Sequence, residues 1–345
     1  MTFFIIFLIA YPYSHKFKIN SLDYIFVKLP SLKGLWSLIK NWHLSLFYIH
    51  AELWGTFSML AFWTLANDVT STNQSGRFYS FLQMASNIAS IIAGSLTAYI
   101  FRGNPQIILK TFVIVGLLCI VFYKLFSPNL YTTQEIKNRN SKLKLNFRES
   151  FNVLLKSKYL LYLAIIVIAC NMYSALLESL VNAVWVDYTH GDKQMLSTLG
   201  GIKIMLVGIV SVIFSFIATY VQRKSWKVAA FFTPIAFLVF FSIFFIISII
   251  NDKFENLSKV LFDIPALTLL VIIGTLNVIL ARTSKYTFFG PTKEAVYIPL
   301  AEEEKVRGKA AVDGIGHRLG KGIGSILLTL VFFPLGGGTI AQSKF

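Results

Sequence analysis

KYTFFGPTKEAVYIPLAEEEKVRGKAAVDGIGHRLGKGIGS, running from Lys285 to Ser325, sets charge and helix breakers between runs of sequence that are otherwise apolar. From Arg282 to Lys309 the cations are Arg282, Lys285, Lys293, Lys305, Arg307 and Lys309, and the anions are Glu294, Glu302, Glu303 and Glu304. Charged groups beside segments long enough to enter lipid need a cavity, an ion pair or a charged substrate to account for them.

The rest of the chain says that lipid is the right solvent. Apolar residues make up 55% of the 345 positions and charged residues 14%, and the mean hydropathy is +0.65. That leaves too little polar surface to coat a soluble protein of this size. A helical span needs about 20 mostly apolar residues. Such runs fall near 42–66, 78–101, 106–126, 159–186, 199–221, 228–250, 265–289 and 313–335. The expected fold is therefore an all-α, polytopic membrane protein with about eight full spans. A further apolar piece, Met1 to Tyr13, is too short to cross a bilayer and has neither a basic leading region nor a small-residue cleavage site. It reads as the tail of a span that begins upstream.

The formal charge is +16, but its cations lie largely in loops between spans, where the positive-inside rule accounts for them without a nucleic-acid partner. The loop 127–158 carries Lys137, Arg139, Lys142, Lys144, Arg148, Lys156 and Lys158 against Glu135 and Glu149 and is expected in the cytoplasm. It divides the chain into an N-terminal group (1–126), a basic linker (127–158) and a C-terminal group of five spans (159–345). Counting outward, the loops after 159 alternate in charge as the rule requires. Segment 14–41 runs against it, with Lys16, Lys18, Lys28, Lys33 and Lys40 against Asp23 on the side expected to face out.

Three spans carry polar stripes. Glu52, Thr56, Trp63 and Asn67 fall within about 60° of one another on a helix of 3.6 residues per turn. Tyr79, Gln83, Asn87, Ser90, Gly94 and Thr97 form a second stripe, and Asn171, Ser174, Glu178, Asn182 and Trp185 a third. Such seams either line an aqueous path or serve as interhelical hydrogen-bonding contacts; a carboxylate at depth favours the path. Around Lys293, Gly290-Pro291-Thr292 and Pro299 are expected to interrupt the helix, and broken helices at depth line cavities or are buried in protein. Lys293 then either offers a compact positive charge to a phosphate or pairs with Glu294 or Glu302 to Glu304. Lys309, Arg318 and Lys321 are further phosphate candidates, while Gly316, Gly320 and Gly324 make a small-residue seam for close helix contact.

Catalytic signatures are missing. Neither Gly320-Lys321 nor Gly308-Lys309 has the glycine spacing or following Ser/Thr of a phosphate-binding loop. His15, His43, His50, His190 and His317 are scattered without metal-ligand spacing, no GxSxG elbow occurs, and Cys119 and Cys170 lie inside spans as small core residues. No metal, cofactor or enzymatic activity is expected.

The quoted stretch resembles, nearly residue for residue, the signature of the ATP/ADP translocase family of nucleotide transporters of plastids and obligate intracellular bacteria. A second block is similar to that family's other diagnostic region: Ala51-Glu52-Leu53-Trp54-Gly55, continuing to Ala66-Asn67 and Arg77-Phe78-Tyr79. The resemblance implies twelve spans in two halves related to the major-facilitator fold, so that this chain would begin late in the third span and stop after the eleventh. It also implies exchange of ATP for ADP by alternating access, with Lys293 matching the lysine of a Pro-Thr-Lys-Glu motif associated with transport. The family's Leu-Val-Glu-x-x-Trp-Lys aligns with Leu180 to Val186, which puts Asn182 where the glutamate stands and Val186 where the lysine stands. That departure leaves proton-coupled import of other nucleotides open, with Glu178 one turn earlier as a substitute carboxylate. A transport-incompetent fragment is the other reading. The expected path residues are Glu52, Asn67, Glu178, Asn182, Lys293, Lys309, Arg318 and Lys321, in a bacterial inner membrane.

Overall fold

Each apolar run folds as a helix. The structure, a computed structural model, describes residues 2–20, 33–69, 72–130, 147–249, 263–297, 300 and 307–332, and at some helical positions, 63–69 and 72–81 among them, the backbone alone. The helices are α1 (Thr2–Ala10), α2 (Lys33–Lys40), α3 (Trp42–Val69), α4 (Thr72–Ser95), α5 (Pro105–Leu130), α6 (Phe147–Lys156), α7 (Lys158–Tyr188), α8 (Lys193–Lys224), α9 (Trp226–Ile249), α10 (Ala266–Ser284), α11 (Gly290–Val296) and α12 (Gly316–Phe332). Wider π-helical turns follow α4 (Leu96–Ile100), join α10 to α11 (Lys285–Phe289) and precede α12 (Ala310–Ile315). No strand occurs among the described residues. Five stretches there are long and apolar enough to cross a bilayer: Pro105–Leu125, Lys158–Tyr188, Lys193–Gln222, Trp226–Phe244 and Ala266–Val296. The protein is all-α and polytopic.

Two compact units emerge. The first comprises Met1–Ser86 and Tyr99–Leu143. In it, the short apolar α1 buries Phe4 edge-on against Phe47, Trp54 and Phe112, with centroids 5.9, 5.9 and 5.0 Å away.

The second unit comprises Asn87–Ala98 and Lys144–Phe345. The end of α4 joins it because glycines permit backbone contact with α8: a Cβ on Gly94 would collide with the Met205 backbone, and one on Gly201 would lie 2.8 Å from the Ala98 nitrogen. Asn87, from the second polar stripe, is buried, and Thr97 donates to its own helix at Ala93 O, 2.8 Å away.

Helix α7 is the axis of this unit. Ser157 caps its start, with Oγ accepting from the Leu160 N–H. At its end His190 and Gly191 adopt positive φ, of 50° and 77°, and the Gly191 N–H returns to Val186 O at 2.9 Å, closing the turn as αL residues do at helix ends. Asp192 then caps α8 by accepting from the Gln194 and Met195 N–H groups at 2.7 and 3.1 Å. Leu160, Leu163, Val167, Leu177, Val181 and Val184 of α7 form the centre of the core. The glycine seam of α12 lies against this helix: a Cβ on Gly320 would stand 2.6 Å from Ile168 O and 2.7 Å from Asn171 Cβ. The seam is a packing surface.

The structure corrects one expectation. Helix does not break before Lys293; it runs from Ala266 to Val296 through the π-helical turn. The wider turn takes up the proline, with the Gly290 N–H bonding Lys285 O five residues back. Pro291 offers no N–H to the Thr287 carbonyl one turn earlier, and Gln222 Nε2 donates to that carbonyl instead, at 3.2 Å. Thr233 Oγ1 donates to Ser284 O at 3.1 Å and Trp226 Nε1 to Thr292 O at 3.3 Å. Neighbouring helices thus satisfy the carbonyls around the irregular turn, as burial in a membrane requires. The helix ends at Tyr297, two residues before Pro299.

Candidate functional site

An ion pair occupies the interior of the second unit. Glu178 is twenty residues along α7, about 30 Å from its start at 1.5 Å per residue, and its Oε1 accepts from Arg282 Nε of α10 at 2.5 Å. Each side chain is 32% exposed, so the pair lines open space rather than core. Lys203 of α8 and Lys321 of α12 lie within electrostatic reach of Glu178, and Lys285 within reach of Glu178, Arg282 and Lys321. Four helical segments therefore bring four cations around one carboxylate.

Neighbouring side chains hold two of the lysines at their amines. Lys203 Nζ sits 4.7 Å from the Trp185 ring centroid, and Trp185, buried in the core, donates its indole N–H to Thr275 Oγ1 at 3.1 Å. Lys285, at the start of the π-helical turn, donates to Asn171 Oδ1 at 2.8 Å, and Asn171 anchors itself by donating to Val167 O at 2.7 Å. Beside them Tyr173 stacks on Phe237 at 4.1 Å, and Asn277 donates to Phe240 O at 2.7 Å. The third polar stripe thus faces α8, α10 and α12, with Ser174 donating to Cys170 O of its own helix.

A second charged network lies where α11 meets the π-helical turn before α12. Lys293 Nζ donates to Asp313 Oδ1 at 2.6 Å and stands 3.6 Å from Glu294 Oε1. Lys309 Nζ reaches Glu294 Oε2 at 2.5 Å and lies 5.9 Å from the Tyr297 ring centroid. The Tyr297 hydroxyl is buried beside Asp313. Its burial and the nearby Asp313 and Glu294 carboxylates push the phenol above the usual tyrosine range.

Of the residues expected from sequence, Glu178 and Lys321 belong to the first cluster, and Lys293 and Lys309 to the second network. Asn182 is exposed on α7, one turn beyond Glu178, and Arg318 is exposed on α12. Glu52 lies in the first unit, exposed on α3 beside Tyr48, Ala51, Gly55 and Met59. Asn67, Thr56, Trp63, Arg77, Phe78, Tyr79 and Gln83 have side chains outside those described, and Glu302 to Glu304 and the linker cations from Lys137 to Lys144 lie outside the described residues. Lys203, Arg282 and Lys285 were not singled out as site residues from sequence. The signal was present, because each lies inside a predicted span, where an ionisable group costs roughly 2.5 to 3.5 kcal/mol on insertion scales. No group of histidines, cysteines and carboxylates able to hold a metal occurs among the described residues.

Known proteins resemble the chain along nearly all its length. The family model described as TLC ATP/ADP transporter matches residues 1–344. ADP,ATP carrier protein 1 of Chlamydia muridarum is 33% identical over 355 residues, covering 95% of this chain and 66% of that relative. ADP,ATP carrier protein 1 of Rickettsia typhi is 33% identical over 369 residues, covering 98% and 72%. The chain thus spans about two thirds of the length of these relatives. No solved structure matches it. With polytopic helices and a family match along its length, the chain belongs to the TLC ATP/ADP transporter family.

Proposed function

We propose that this protein carries adenine nucleotides across a bacterial inner membrane, exchanging ATP for ADP by alternating access and leaving the nucleotide chemically unchanged. The observation that carries the reading is the gathering of Lys203, Arg282, Lys285 and Lys321 around the single carboxylate Glu178. Cations inside spans are costly, and a polyphosphate offers them negative charge through charge-assisted hydrogen bonds. The relatives' names, ADP,ATP carrier protein, agree with that substrate class. Glu52, Asn67, Asn182, Lys293, Lys309 and Arg318 are the further path residues of this reading.

Uptake of labelled ATP into proteoliposomes holding the protein tests it. Uptake should require ADP or ATP inside, and vesicles empty of nucleotide should take up little. Uptake from correctly inserted protein that ignores internal nucleotide would overturn exchange.

A second reading, proton-coupled import of another nucleotide, is favoured by one observation. Asn182 stands uncharged at the position where the resemblance implies a glutamate, while the nearby Glu178 is engaged by Arg282. Uptake that collapses when the proton gradient is dissipated, with internal nucleotide irrelevant, would select it.

A further inference from the structure

Helix α6 carries an apolar stripe wider than the contact it makes. Leu154, Phe151 and Leu155 lie in that order around the helix within an arc of about 100°, and Lys156 comes about 100° beyond Leu155. One edge of the stripe is used. Leu154 is 6% exposed and belongs to the core cluster that includes Leu160, Ala311 and Val312, so α6 packs on the start of α7 and on the π-helical turn Ala310–Ile315. The other edge is open, with Phe151 39% and Leu155 57% exposed. Lys156 and Lys158 follow it, both exposed and with no ion pair or hydrogen bond among the described residues.

The chain passes from this edge into the outer surface of α7, with Ser157 alone between the two helices. Tyr159 and Tyr162 are 45% and 64% exposed in the first turns of α7, and Ile165 and Ile166 continue the apolar surface along the span. Tyr159 is fixed there, donating its hydroxyl to Val296 O at 2.8 Å. Tyrosines gather where the headgroups meet the acyl chains, which puts α6 at headgroup level. An open apolar edge flanked by unpaired lysines at that level fits a surface that is apolar below and negatively charged above.

We propose that α6 is a binding surface for anionic phospholipid. The helix lies along the membrane where α7 begins, with Phe151 and Leu155 among the upper acyl carbons and the amines of Lys156 and Lys158 on the phosphate of a negatively charged headgroup. Flexible lysine stems run along apolar surface while the charge stays at the polar layer, and interfacial helices bind through apolar burial together with attraction to anionic lipid. The proposal goes beyond the transport reading and does not depend on it. It bears on the second charged network, because the turn on which α6 packs carries Asp313, the partner of Lys293.

The test places a nitroxide at position 155 of the full chain, using Leu155→Cys with the exposed Cys119 changed to Ser and the buried Cys170 left in place. The protein is held in vesicles of phosphatidylcholine, alone or mixed with phosphatidylglycerol. Collision with oxygen, which concentrates in lipid, against collision with a water-soluble nickel complex reports where the label lies. In mixed vesicles oxygen should reach it and nickel should not, and high salt should weaken that preference. Lys156→Gln with Lys158→Gln should lower the ratio of lipid-seated to water-exposed label roughly thirty-fold at fixed phosphatidylglycerol content, on the scale of roughly five-fold per lysine. A label that stays in water in both vesicles, or that ignores the double substitution, would overturn the proposal. Inorganic phosphate added to the phosphatidylcholine vesicles should leave the label where it was; if it reproduces the phosphatidylglycerol effect, the lysines take a soluble anion and the lipid assignment falls. A label shielded from both probes in every vesicle and in detergent would mean that another segment or a second copy covers the face, and it too overturns the proposal. Should the labelled variant fail to fold, thermal melting of unlabelled protein decides. Phosphatidylglycerol should raise the melting temperature of the wild type and not of the double lysine variant, and an equal rise in both would overturn the assignment.

Discussion

Lys293 and Asp313 are joined by a 2.6 Å ion pair that ties α11 to the π-helical turn ahead of α12. The lysine side chain is 16% exposed and the aspartate 28%, so removing one partner strands the other in a largely desolvated place. Lys293→Ala should destabilise the protein in detergent by about 1–3 kcal/mol. Exchanging the two charges, with Lys293→Asp and Asp313→Lys together, should recover most of that stability. It should not recover nucleotide uptake if the amine must meet phosphate from position 293. Thermal melting and labelled ATP uptake on these two variants separate the two roles, and full uptake by the exchanged pair would make Lys293 a strut alone.

Gln222 stands in for the N–H that Pro291 lacks. Its amide donates to Thr287 O at 3.2 Å, and Gln222→Leu leaves that buried carbonyl short of a donor. The expected loss is about 1–3 kcal/mol. Pro291→Ala returns a backbone N–H to the turn, so the same Gln222→Leu change should cost markedly less in that background. Equal costs in both backgrounds, measured by thermal unfolding, would mean that Gln222 contributes packing only.

Close approach of α12 to α7 makes a sharp contrast between two glycines. A Cβ at Gly320 would press on Ile168 O and Asn171 Cβ, whereas at Gly322 it would meet nothing within 4 Å. Gly320→Ala should destabilise by about 1–3 kcal/mol, as overpacking does, and should also disturb Asn171, the acceptor for Lys285. Gly322→Ala should be neutral or stabilising by up to about 1 kcal/mol. Melting temperatures of the two variants decide it.

Glu52, exposed on an apolar span of the first unit, is read as a path residue. Glu52→Gln should lower nucleotide uptake at least ten-fold while leaving membrane insertion intact, since it removes a charge that is costly at depth. Normal uptake by that variant takes Glu52 out of the mechanism.

The helices were legible because each span is a continuous apolar run and period 3.6 marks its polar face. The α7 stripe and the glycine seam followed from the same periodicity, and the structure places both against neighbouring helices. Continuity through Pro291 was not legible. The sequence shows the missing donor but not Gln222, 69 residues earlier in the chain, that replaces it. The cation cluster was half legible. Glu178 stood out on a helical face and Lys321 as a phosphate candidate, but the convergence of Lys203, Arg282 and Lys285 on Glu178 is set by how α7, α8, α10 and α12 pack, and no local spacing encodes it. Asn171 shows the same limit: its place on the stripe was evident, but its role in holding Lys285 needs the contact between α7 and the π-helical turn.

The central claim is that the cluster around Glu178 receives the nucleotide's phosphates, and Arg282 is its best-placed donor. The direct measurement compares exchange of labelled ATP for internal ADP by the wild type with that of the double variant Arg282→Gln and Glu178→Gln, which removes both charges of the pair and strands neither. The double variant should insert and fold like the wild type but lose nucleotide affinity at least ten-fold, with the loss growing from AMP to ADP to ATP. Wild-type exchange rates and affinities in the double variant would contradict the assignment of this cluster as the phosphate site.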